Sequence, residues 1–340
     1  KHIQDTVDEV DSYNVIKGFL NLSLSPAYWL DFLQREMHNK SFGLKDAQEN
    51  DRPVVVEFSS PNTNKPLHLG HIRNNLLGDA VSRLVAAGGK SVRKVNLVND
   101  RGIHICKSML AWMKYGRGET PESTGKKGDK LTGDYYVRFE TELKKQVAEL
   151  IQQNQSSNTP GNALPDEETL RQQAPLMQEA RELLRKWEEG DPQTIEIWKQ
   201  MNQWVYQGFD TTYGLLGISF DKIYYESETY LLGRKLVKEG LEKGVFYRRE
   251  DGSVWVDLSD QKLDEKLLLR GDGTSVYMTQ DLGTAQLRYD DYKADQMIYV
   301  VGNEQNYHFD VLKKVLQKLD KPYANSIFHL SYGMVELPQG

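Results

Sequence analysis

Between Arg52 and Asp100 the chain reads as strand, polar loop, helix and strand, and a unit of that length joins parallel strands. Val54, Val55, Val56, Glu57 and Phe58 form a mostly apolar run, as a strand buried on both faces does. Ser59 to His68 is polar. Ile72, Leu76, Leu77, Ala80, Val81, Leu84 and Val85 then recur at helical spacing, and Gly88-Gly89 stops the helix. Ser91 to Val98 returns as a strand. The class is therefore α/β with a parallel sheet.

The alternation resumes late in the chain. Asp281 to Tyr292 predicts a helix and Gln296 to Val301 a strand. Phe309 to Leu319 predicts a helix with Val311, Leu312, Val315 and Leu316 on one face, and Ser326 to Val335 a strand. Between the two halves, residues 113–246 read as a largely helical insertion. Inside it Gln152 to Pro165 is a low-complexity loop. Asp191-Pro192 starts a helix whose Ile195, Trp198, Val205 and Phe209 face one side. Upstream, Tyr13 to Leu24 alternates like a strand. Ser25-Pro26 then opens a helix with Trp29, Leu30 and Leu33 on a shared face. Residues 1–45 are too few for a domain and read as the tail of one. The turn-like Leu337 to Gly340 is an odd terminus, so a chain truncated at both ends is expected. At roughly 100–200 residues per domain, 340 residues suggest two or three domains.

Composition narrows the function. No apolar run reaches the ~18 residues of a membrane span. Lys1 to Asp11 is polar and acidic, unlike a signal peptide. With Cys106 as the single cysteine, an internal disulfide or a multi-cysteine zinc site is excluded. A net charge of −6 argues against a protein that coats nucleic acid, though not against a local basic surface.

The chemistry concentrates in the first strand-to-helix loop, Glu57-Phe58-Ser59-Ser60-Pro61-Asn62-Thr63-Asn64-Lys65-Pro66-Leu67-His68-Leu69-Gly70-His71. It lies at the C-terminal end of a parallel strand, where open α/β sheets bind ligands. The following helix offers unpaired N–H groups to an anion. His68 and His71 could donate to phosphate oxygens, Lys65 adds a mobile positive charge, and Gly70 leaves room for a flat ring. These parts suit a nucleoside triphosphate. Competing readings are a zinc pair, for which no third ligand is obvious nearby, and ordinary surface histidines.

His68-Leu69-Gly70-His71 resembles the HIGH signature of class I aminoacyl-tRNA synthetases. The wider string EFSSPNTNKPLHLGHIRN is similar to that of arginyl-tRNA synthetases in particular. So are Val98 to Gly102, Leu268 to Ala285, Val300 to Phe309 and Tyr332 to Gly340. The resemblance implies a Rossmann-like nucleotide-binding core (46–112 and 247–340) split by a helical connective insertion (113–246). Residues 1–45 would be the remnant of an N-terminal tRNA-binding domain, and the anticodon-binding domain would be absent.

The resemblance also implies site residues. Glu57, Asn62, Tyr277, Asp281 and Gln305 would hold arginine, and a guanidinium with five donors suits the two carboxylates. His68, Gly70 and His71 would bind ATP, with His308 near the ribose and Met334 and Val335 flanking the adenine. Pro61, Asn62, Lys65, His68, Leu69, Gly70 and His71 make up the signature, with His68, His71 and Lys65 catalytic. Partners would be L-arginine, ATP with Mg²⁺ carried on the nucleotide, and tRNA-Arg. The protein would be a cytoplasmic monomer without a membrane partner and with no metal site of its own.

Two departures matter. Leu69 stands where the signature has Ile, a swap of similar volume. The chain also ends where a KMSK-type loop would begin, and Lys65 occupies the place of a lysine that compensates in arginyl enzymes with a degenerate loop. Alternatives are another class I synthetase or a small-molecule nucleotidyltransferase with the HxGH signature. A cysteinyl enzyme would need zinc cysteines. A dinucleotide oxidoreductase would need GxGxxG after the first strand, which is missing. A non-catalytic nucleic-acid module fits poorly with the acidic balance and with His68, His71 and Lys65. Lys126-Lys127, Lys144-Lys145 and Arg248-Arg249 read as solvated surface.

Overall fold

The structure, a computed structural model, describes residues 1–47, 51–157 and 165–333. The chain opens with α1 (His2–Thr6), a hairpin of β1 (Val10–Ile16) and β2 (Phe19–Leu24), and α2 (Pro26–Glu36). What the alternation suggests is one strand reverses at Lys17 and Gly18, whose φ angles are +52° and +84°. Paired positive φ is the geometry of a two-residue hairpin turn, and a lysine in its first position hides it in the sequence. Ser25 caps α2 as expected, its Oγ accepting from the Tyr28 N–H at 3.2 Å.

The strand–helix–strand unit forms as β3 (Val54–Glu57), α3 (Leu69–Ala87) and β4 (Val92–Val98). The helical stretch follows as α4 (Ile103–Tyr115), α5 (Pro121–Thr124), α6 (Gly128–Ser157), α7 (Glu167–Gln173), α8 (Pro175–Glu188) and α9 (Pro192–Leu216). Asp191 caps α9 by accepting from the Thr194 N–H at 2.9 Å. Then come β5 (Lys222–Tyr225), α10 (Glu226–Thr229), α11 (Gly233–Glu242), β6 (Phe246–Arg248), β7 (Val254–Val256) and β8 (Lys266–Leu269). The chain continues as α12 (Tyr277–Tyr292), β9 (Gln296–Gly302), α13 (Asn306–Lys318) and β10 (Ile327–Tyr332).

Five strands pair in parallel in the order β10-β9-β3-β4-β5. The chain steps outward from β3 through β4 to β5, then crosses to β9 and β10 on the other side. The order thus reverses between β3 and β9, and a crevice outside their C-terminal ends is where such sheets bind ligands. Gln152 to Ser157, read as the start of a loop, continue α6, and residues 158–164 of that loop lie outside the described residues. The helical reading of residues 113–246 needs a further correction. β5 lies inside that stretch and is the sheet's edge strand, too short at four residues to stand out from its flanks. The antiparallel β6-β7-β8 sheet was not anticipated either. It shares a core with Leu236, Leu282 and Leu312.

Helix α9 joins insertion to sheet. Its Met201 and Trp204 belong to the core of α4, α6 and α8, while Val205, Phe209 and Tyr213 pack with Val54, Val56 and Phe58 of the sheet. Asp100, just past β4, is buried at this junction. Its carboxylate accepts from Tyr206 Oη at 2.9 Å, Ser227 Oγ at 2.7 Å and the Ser227 N–H at 2.8 Å. Its carbonyl accepts from Trp198 Nε1 at 2.6 Å and Asn202 Nδ2 at 3.1 Å.

Candidate active site

The loop after β3 turns sharply. Ser59 and Ser60 both have positive φ, +79° and +43°, which costs non-glycine residues about 1–3 kcal/mol each. Side chains from three directions offset that cost. The Ser59 N–H donates to Asn74 Oδ1, and the Ser60 N–H to Asn96 Oδ1 at 3.0 Å. Ser59 Oγ lies 2.7 Å from the Tyr213 hydroxyl, which also accepts from Asn96 Nδ2 at 3.2 Å. Asn74 in turn donates to the Val300 carbonyl at 2.6 Å, tying α3 to β9. Further on, Thr63 N–H donates to the Asn99 carbonyl and Asn99 N–H to that of Pro61, so Asn62 is held beside Asn99 at the ends of β3 and β4. Lys65 and Pro66 pass close to α6, where a Cβ on Gly133 would lie 2.7 Å from Pro66 Cδ.

His68 and His71 form the N-terminus of α3. His68 is the N-cap, its Nδ1 accepting from the Gly70 N–H at 3.1 Å, while His71 Nδ1 accepts from the His68 N–H at 3.3 Å. The rings lie 4.0 Å apart between centroids. With each Nδ1 accepting, each neutral imidazole carries its proton on Nε2. Burial, then the neighbouring His68 and Lys65, holds His71 down at about 4, and burial and Lys65 lower His68 as well. The pair thus presents two neutral N–H donors at the start of α3. A Cβ at Gly70 would stand 2.9 Å from His68 Cε1, so a larger residue would push the His68 ring from its capping position. Leu69 is 80% exposed, so the Ile-to-Leu departure disturbs little packing.

The carboxylates lie at the β3–β9 crevice. Glu57 ends β3 and is buried, with Oε2 against the Arg288 guanidinium and Oε1 3.3 Å from Ser60 Oγ. Burial pushes its carboxyl up, Arg288 pulls it back, and Asp281 raises it again. Asp281, in the second turn of α12 rather than at its cap, meets His308 Nε2 at 2.6 Å. His308, which the resemblance puts near the ribose, is therefore on the Asp281 carboxylate. Tyr277 opens α12, 77% exposed, one turn before Asp281, and Gln305 lies exposed just before α13, three residues before His308. Met334 and Val335 lie outside the described residues. Nearby, Arg73 of α3 donates to the Gly333 carbonyl and lies over the Tyr332 ring, joining α3 to the end of β10.

Sequence reasoning missed Arg288, Asn74, Asn96 and Glu226. Helical phase could have found Arg288, since it shares a face of α12 with Tyr277 and Asp281. Glu226 lies 3.8 Å from Arg101 and is pushed up to about 7, chiefly by burial. Nothing local marks Asn74, Asn96 or Glu226. Among the described residues no group of three or more His, Cys, Asp or Glu is placed to hold a metal. No helix among them is long and apolar enough to cross a membrane.

Comparison with known proteins bears on the whole arrangement. Residues 33–339 match the family model described as tRNA synthetases class I (R), catalytic domain. The chain is 60% identical over 331 residues to the arginine–tRNA ligase of Bacteroides thetaiotaomicron, covering 97% of this chain and 54% of that protein. It is 58% identical over 338 residues to that of Amoebophilus asiaticus, covering 99% and 55%. The chain thus spans about half the length of these curated relatives. The solved arginyl-tRNA synthetase of Thermus thermophilus superposes with a TM-score of 0.73 at 22% identity, over 96% of this chain and 55% of that one. That of Plasmodium falciparum gives 0.66 at 19%, over 97% and 53%. These two likenesses are likenesses of fold.

Proposed function

The chain belongs to the class I arginyl-tRNA synthetases, as its catalytic-domain region, and from that premise we propose that it activates arginine with ATP and passes it to tRNA-Arg. The observation that carries this reading is one crevice, at the C-terminal ends of β3 and β9, with the histidine-led α3 beside it and Glu57 and Asp281 within it. The arginine carboxylate attacks the α-phosphorus of ATP and pyrophosphate leaves. The terminal ribose hydroxyl of tRNA then attacks the adenylate carbonyl, and AMP leaves. Neither step asks for a covalent nucleophile on the enzyme; alignment and charge stabilisation supply the catalysis.

The protein's own groups divide the task. The Nε2–H donors of His68 and His71 and the Lys65 ammonium face phosphate charge, with Gly70 allowing close approach. Because both imidazoles stay neutral, they donate without drawing on a proton that must be replaced. Asp281 and Glu57 receive the guanidinium, Asn62 and Gln305 the polar atoms of the amino-acid backbone, and Tyr277 covers the side chain. For Asp281 this requires His308 to yield part of the carboxylate. Mg²⁺ travels with the nucleotide. Residues 113–246, apart from the sheet strand β5, act as the connective insertion, and residues 1–45 belong with a tRNA-binding domain.

Calorimetric titration of L-arginine and then citrulline, with a non-hydrolysable ATP analogue present, tests the reading. Arginine should bind and citrulline, nearly isosteric but neutral, should not. Nucleotide binding alone, in the presence of tRNA-Arg as well, would point instead to another HxGH nucleotidyltransferase.

A further inference from the structure

We infer that Arg288 is the positioning residue of the amino-acid site: through a buried ion pair it holds the Glu57 carboxylate in place as an acceptor, so that the site admits a cationic side chain. The inference rests on the arginine-activating reading above and adds to it the group that makes Glu57 usable.

Arg288 is 1% exposed. Its guanidinium lies between the rings of Tyr224 and Tyr299, 5.5 and 5.2 Å from their centroids. Nη1 donates to the Tyr299 hydroxyl at 3.1 Å and Nη2 meets Glu57 Oε2. Among the described residues Nε and Nη2 find no well-aligned hydrogen-bond acceptor, so the Glu57 carboxylate is the anion this cation answers. Tyr277, Asp281 and Arg288 are spaced by four and seven residues, one face of α12 running from the exposed Tyr277 to the buried Arg288.

A buried ion pair is a poor source of stability, because desolvating both charges costs about what their attraction returns; a well-packed apolar pair would fill the space as well. What the pair provides is a charged carboxylate at the floor of a buried crevice. Left alone there, Glu57 would take up a proton, since burial and the Asp281 charge both disfavour its anion. A protonated Glu57 no longer distinguishes a guanidinium from a urea. With Arg288 in place, Glu57, Asp281 and Arg288 leave one net negative charge, the complement of one guanidinium. The titratable groups around Glu57 are Arg288 and Asp281 from α12 and Tyr299 from β9. Tyr224 of β5 faces Arg288, and His308 of α13 faces Asp281.

The test compares the intact protein with R288M, R288K and Y299F. Arginine and ATP-analogue affinities are measured calorimetrically from pH 6 to 9, roughly the range in which a raised carboxyl titrates. R288M should weaken arginine binding about tenfold or more at neutral pH while ATP-analogue binding stays within about twofold. Its arginine affinity should climb as pH rises and Glu57 loses its proton. R288K should restore most of the loss. Wild-type arginine affinity in R288M, or equal loss of both ligands in a variant with an unaltered melting curve, overturns the inference. Should R288M fail to fold, Y299F replaces it, with arginine binding weakened about threefold and ATP-analogue binding unchanged; unaltered arginine binding in folded Y299F overturns it too. Infrared spectra of the ligand-free proteins separate this inference from its parent. R288M should gain a protonated-carboxyl band that the further substitution E57Q removes, while Y299F, which keeps the Arg288–Glu57 pair, should not. If the wild type binds no arginine the parent reading falls, while absence of that band from R288M refutes the role of Arg288 by itself.

Discussion

Charge and tautomer at single residues decide what the site can recognise. If Asp281 receives the guanidinium, D281N should weaken arginine binding by about 1.5–3 kcal/mol, the scale of a hydrogen bond to a charged group, and leave ATP affinity unchanged. Unchanged arginine affinity would remove Asp281 from the pocket. His71 makes a prediction about stability. Its folded value of about 4 lies below the ordinary imidazole value of 6.5, so the unfolded chain binds the extra proton first. Stability should therefore fall as pH drops from 6.5 towards 4, by about 3 kcal/mol in all, and be level in this respect above 6.5. Urea unfolding of the wild type and H71N across that range checks it, the variant lacking this part of the slope. The residue types at Glu57, His68, His71 and Asp281 are legible in the sequence. Their partners are not, because Arg288 is 231 positions from Glu57 and His308 is 27 from Asp281.

Elements of the sheet and its covering helices were mostly readable, since burial on both faces leaves apolar runs and amphipathic helices leave a period. β3, α3, β4, β9, α13 and β10 all appear within a few residues of their predicted bounds. α12 begins at Tyr277, four residues before the predicted start, because Val276 and Tyr277 carry no capping signal. β5 and the hairpin turn at Lys17-Gly18 were hidden by shortness and by an uncharacteristic residue. Helix α3 approaches β3 closely at Gly78, where a Cβ would lie 2.1 Å from Phe58 Cγ. G78A should therefore destabilise the fold by about 1–3 kcal/mol as α3 is forced off the sheet, and thermal melting should register the loss. Because Asn74 is on the same helix and pins the Ser59 turn, the variant should also weaken ATP binding.

Across the whole molecule, Asp100 is where the helical insertion meets the sheet. D100A would leave the Ser227 N–H and the Tyr206 hydroxyl without their buried acceptor, at a cost of about 2–3 kcal/mol. Limited proteolysis should then cut between α9 and α10 faster than in the wild type. Equal cleavage rates and an unshifted urea midpoint would show that the apolar face of α9 alone secures the junction. The insertion was legible as a helical block from composition and period. That α9 serves two cores at once was not, because a period says which residues are buried and not against what.

Local chemistry was thus fixed in the sequence: a parallel α/β core, a histidine-led helix after the first strand, and carboxylates in two separated segments. Each follows from short-range rules of periodicity, capping and residue type. Tertiary structure alone decided that β9 lies beside β3, which brings those segments to one crevice, and that Glu57 arrives there already paired with Arg288. Strand order and buried charge pairing depend on contacts hundreds of residues apart, and no local pattern in the chain records them.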